Sequence, residues 1–139
     1  IKKILPAVIR QSDAVRQRYS GAVYGTATMP SSNFDNWQWV FEKDGRFLDP
    51  YELLDPLFAD LDINDALARL EKAEGEVVAN GAAAIIAYSR LQDANVPSAE
   101  RLELEMQLKR YCELDTLSMV MVVQALQDWV KLWPCGSER

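Results

Sequence analysis

The chain of 139 residues is 49% hydrophobic and 26% charged, enough to build one globular core and too apolar for wholesale disorder. It contains no histidine, which removes the serine, cysteine and zinc mechanisms that depend on an imidazole within one chain. Its net charge of −6 argues against nucleic acid and anionic membranes as partners, although the charge is uneven. Residues 1–20 hold Lys2, Lys3, Arg10, Arg16 and Arg18 against Asp13 alone, a net +4 that leaves −10 on the rest of the chain.

Pro6 suits a first-turn position, and Leu5, Val8, Ser12, Val15 and Tyr19 recur at helical spacing, so the spacing predicts a basic N-terminal helix over residues 1–20. Ser20-Gly21 ends it. The period then changes. Residues 22–29 are rich in β-branched and small side chains, Pro30 to Asn33 reads as a loop, and Trp37, Trp39 and Phe41 alternate with Gln38 and Val40. Asp44-Gly45 is a hairpin-turn signal before Arg46-Phe47-Leu48. A small β element over about residues 22–48 follows. Two Asp-Pro starts, at Asp49-Pro50 and Asp55-Pro56, predict short helical turns over 49–59.

From Ile63 an apolar stripe through Leu67, Leu70, Val77, Gly81, Ala84, Tyr88 and Leu91 keeps helical phase across Asn80-Gly81, which favours helix over a hairpin turn there. Ala94-Asn95-Val96-Pro97 closes this segment, and Ser98 is a good N-cap for a final helix with Glu100 in its first turn. The run from Ser98 to Trp133 has no proline or glycine, and from Leu114 onward it is apolar on nearly every side. Asp115, Gln124, Gln127, Asp128 and Lys131 interrupt it and leave it short of the ~20 mostly apolar residues that a bilayer demands. The expected fold is mainly α: a single domain with an N-terminal helix, a small β element, a long antiparallel helical hairpin over 63–133 as the core, and a tail over 134–139.

Three groups of residues bear on chemistry. Asp60, Asp62, Asn64 and Glu71 fall at positions one, three, five and twelve of a calcium-loop spacing, but Asp65 stands where the turn glycine belongs and Ala68 offers no ligand. Helix capping by Asp62 explains the segment better, so no metal and no cofactor are expected. Glu71 with Glu74 and Glu100 with Glu103 are carboxylate pairs of the kind that hold magnesium in all-helical phosphohydrolases. Arg69, Lys72, Arg101 and Lys109 lie close by, which favours ordinary surface pairing. Trp37, Trp39 and Phe41 form an aromatic face that either stacks a ligand or covers the core.

The reading that follows is a non-catalytic protein-interaction or regulatory module, self-associating, with Leu117, Val120, Val123, Leu126, Trp129 and the aromatic face as its surfaces. The helix carrying those residues shows more apolar sides than one antiparallel neighbour covers. The two alternatives are a metal-dependent phosphohydrolase using the paired glutamates, and a small subunit of a nucleic-acid complex reached through Lys2, Lys3, Arg10, Arg16 and Arg18. Cys112, expected within a helical pattern as a small buried core residue, and Cys135, expected in an exposed tail, suit reduced thiols and a cytoplasmic setting.

Overall fold

The computed structural model describes residues 1–54 and 78–132, with side chains from residue 84 in the second stretch. The described residues are mainly helical, with one small antiparallel sheet, and none of their helices is long and apolar enough to cross a membrane. The chain divides into two compact units, one of Ile1–Leu53 with the chain from Tyr111 onward, the other of Leu54–Arg110.

In the first unit the N-terminal segment forms two helices where the spacing predicted one: α1 (Ile4–Gln11) and α2 (Asp13–Tyr19). Ser12 is the reason. Its backbone is extended, and its hydroxyl accepts a hydrogen bond from the Val15 amide, so it stops α1 and caps α2 within an apolar pattern that runs through it unbroken. Arg16 secures the corner by donating to the carbonyls of Ile9 (2.8 Å) and Arg10 (2.6 Å), the free acceptors at the end of α1, and it also pairs with Asp13. Leu5, Val8, Ile9, Val15 and Tyr19 are buried, as their spacing requires.

The β element is smaller than its composition suggests. Residues 22–29 and the Trp37 to Phe41 stretch are not strands, and only isolated bridges join Tyr24 to Met29 and to Trp37. The cause lies at Gly25, whose φ of +77° turns the chain straight after Tyr24, so no ladder extends. The sheet consists of β1 (Glu42–Lys43) and β2 (Arg46–Phe47), with Glu42 opposite Phe47 and Lys43 opposite Arg46. Asp44 and Gly45 between them both have positive φ, 52° and 73°, which matches the twist of a two-residue hairpin. A 3₁₀ turn (Pro50–Leu53) realises the first Asp-Pro start.

In the second unit, α3 (Val78–Gln92) runs through Asn80-Gly81 as helix, in agreement with the phase of the stripe. Residues 93–97 connect it to α4 (Ser98–Leu132), which continues into the first unit; Ser98 is its first helical residue and not its cap, because the Pro97 carbonyl already accepts from the Arg101 amide at 2.9 Å. The connection is held from both sides: Arg101 donates to the Leu91 carbonyl and to that of Asp93 at 2.8 Å, and Arg90 pairs with Glu100 at 3.0 Å. Among the described residues of this unit, Ala87, Val96 and Leu104 are the buried apolar ones.

Candidate functional site

The last two thirds of α4 organise the first unit. Leu114, Leu117, Ser118, Met121 and Ala125 are all buried, and their steps of three and four place them on one side of the helix. Three tyrosines from the N-terminal half reach polar groups of the same helix. The Tyr24 hydroxyl donates to Glu113 Oε1 at 2.7 Å, Tyr51 donates to Asp115 Oδ1 at 2.5 Å and lies 3.3 Å from Ser118 Oγ, and Tyr19 donates to Gln124 Oε1 at 3.0 Å. Glu113 also accepts from Asn33 Nδ2 at 2.5 Å.

These contacts set the local electrostatics. Burial alone would push the Glu113 carboxyl up, but hydrogen bonds from Ser31, Asn33 and Tyr24 outweigh it and hold Glu113 below the ordinary glutamate value. The phenols of Tyr24 and Tyr51 are raised, first by burial and then by the carboxylates they face, while burial and Asp115 push Tyr111 up to about 12. All three phenols therefore stay neutral through the physiological range, and those of Tyr24 and Tyr51 act as donors. Lys2 lies over the rings of Tyr51 (4.9 Å) and Tyr111 (4.5 Å), and its burial lowers its pKa against the pull of Asp115 and Asp49.

The aromatic residues are mainly core. Trp39 is fully buried, Phe34 and Tyr24 nearly so, and they meet one another and Trp37 in tilted and edge-to-face contacts at centroid distances of 4.9–5.9 Å. Trp37 is half-buried, and of the three residues of the expected face only Phe41 is exposed.

The basic residues divide in the same way. Lys2 and Arg16 are engaged internally, Arg16 also lying 5.2 Å over the Phe47 ring, whereas Lys3, Arg10 and Arg18 are exposed. Of the acidic pairs, Glu100 is taken by Arg90 and Glu103 accepts from Gln107, and no group of three metal-ligating side chains occurs among the described residues. Asp60, Asp62, Asn64, Glu71 and Glu74 lie outside the described residues, as do Cys135 and the tail. A polar hollow of about 350 Å³ is lined by Pro30, Ser31, Ser32, Asn33 and Glu113, whose carboxylate oxygens already serve Tyr24 and Asn33.

From Met119 onward, much of what remains open on α4 is apolar. Met119 (55% exposed), Val120, Val123, Leu126 (both of the last two 50%) and Val130 lie away from the buried stripe, and a shallow groove runs along Val123, Leu126, Gln127, Val130 and Lys131. Of the five residues expected on this surface, Val120, Val123 and Leu126 are exposed, Trp129 is half-buried, and Leu117 belongs to the core. Sequence reasoning passed over Met119 and Val130, although they sit four residues from Val123 and from Leu126 respectively. No known family model, curated protein or solved structure matches this chain.

Proposed function

We propose that this chain is a non-catalytic interaction module that self-associates through the outward face of α4. The observation that carries the reading is the two-sidedness of that helix. One apolar stripe, Leu114 to Ala125, is buried within its own unit, while the opposite stripe, Met119 to Val130, is left in water. Monomeric proteins rarely leave large contiguous apolar patches uncovered, and burial of such a stripe contributes about 25 cal/mol per Å² removed from water.

In this reading α3 and α4 are arms of the long helical hairpin, clamped at residues 93–97 by Arg90 and Arg101. Cys112 is exposed and not a buried core residue as its helical pattern suggested, and a free surface thiol suits a reducing, cytoplasmic compartment. The tyrosine ties serve to hold the inner stripe, so the outer stripe can be presented on a rigid support. The acidic pairs and the basic residues favour no second reading, because their best-placed members are spent on internal contacts. Light scattering on the full chain at micromolar concentration tests the proposal. A mass of two or more chains is expected, and a single-chain mass up to high micromolar concentration rejects self-association.

A further inference from the structure

We draw no further inference here: the strongest candidate, the aromatic corner in which Lys2 lies over the rings of Tyr51 and Tyr111 near Asp115, is filled by the chain's own lysine, and nothing in the structure points to a ligand that would take its place.

Discussion

Tyr24 and Glu113, 89 positions apart in the chain, are joined by a 2.7 Å hydrogen bond from phenol to carboxylate, and this contact ties the loop after α2 to the middle of α4. The same carboxylate receives Asn33, so one glutamate gathers two points of a loop that has almost no regular secondary structure of its own. Tyr24→Phe keeps the ring contacts with Phe34 and Trp39 but removes a donor from a partly buried carboxylate. The expected loss is about 1–2 kcal/mol, read by urea denaturation, with the m-value unchanged.

The depressed pKa of Glu113 makes a prediction in pH. A carboxyl whose folded pKa lies below its unfolded value contributes stability that is fully present above the unfolded pKa, near 4.5, and that is lost as pH falls through the folded one. Thermal melting between pH 7 and pH 3 should thus show a loss on the acid side that is smaller in Glu113→Gln than in the wild type. Equal acid sensitivity of the two proteins would remove Glu113 from the account.

Two glycines with nearly equal φ should respond very differently to alanine. At Gly25 an added Cβ would come within 2.1 Å of the Phe34 carbonyl oxygen, whereas at Gly45 it meets nothing within 4 Å. Gly45→Ala should cost only the left-handed backbone term, ~1–2 kcal/mol, and Gly25→Ala distinctly more, since backbone has to move. Comparative melting of the two variants checks this.

Arg16 and Arg18 give a similar contrast. Arg16→Glu removes the donors that close α1 and leaves a like charge beside Asp13, and should cost about 1–2 kcal/mol after allowance for its partial exposure. Arg18→Glu, at an exposed position, should change stability by less than ~0.5 kcal/mol. Denaturation of both variants at one salt concentration separates the structural cation from the solvated one.

The parts of the fold that were legible in the sequence are those set by local chemistry. Asp44-Gly45 named its own turn, Ser98 its own helix start, and the stripe phase carried α3 through Asn80-Gly81. The break at Ser12 was hidden because Val8, Ser12 and Val15 keep helical spacing across it. Its one local sign was a serine followed by Asp13, a cap and first-turn pair inside the run. The stretch 22–29 misled because Val23, Thr26 and Thr28 favour strands, while a single positive φ at Gly25 prevented one. The apolar excess of α4 was visible in the sequence, but which of its sides faces outward was not. That depends on Tyr19, Tyr24 and Tyr51 finding Gln124, Glu113 and Asp115 across 64–105 positions, and spacing carries no trace of such pairings.

The central claim is that the outward face of α4 holds two chains together. Sedimentation of the wild type, Val123→Asp and Leu102→Asp tests it most directly, because Val123 lies on that face and Leu102, 70% exposed on the earlier part of the same helix, serves as the control. The account predicts a dimer for the wild type and for Leu102→Asp, and a folded monomer, with affinity lowered by at least ~100-fold, for Val123→Asp. A dimer that Val123→Asp leaves intact, or a wild type that sediments as a single chain, would contradict it.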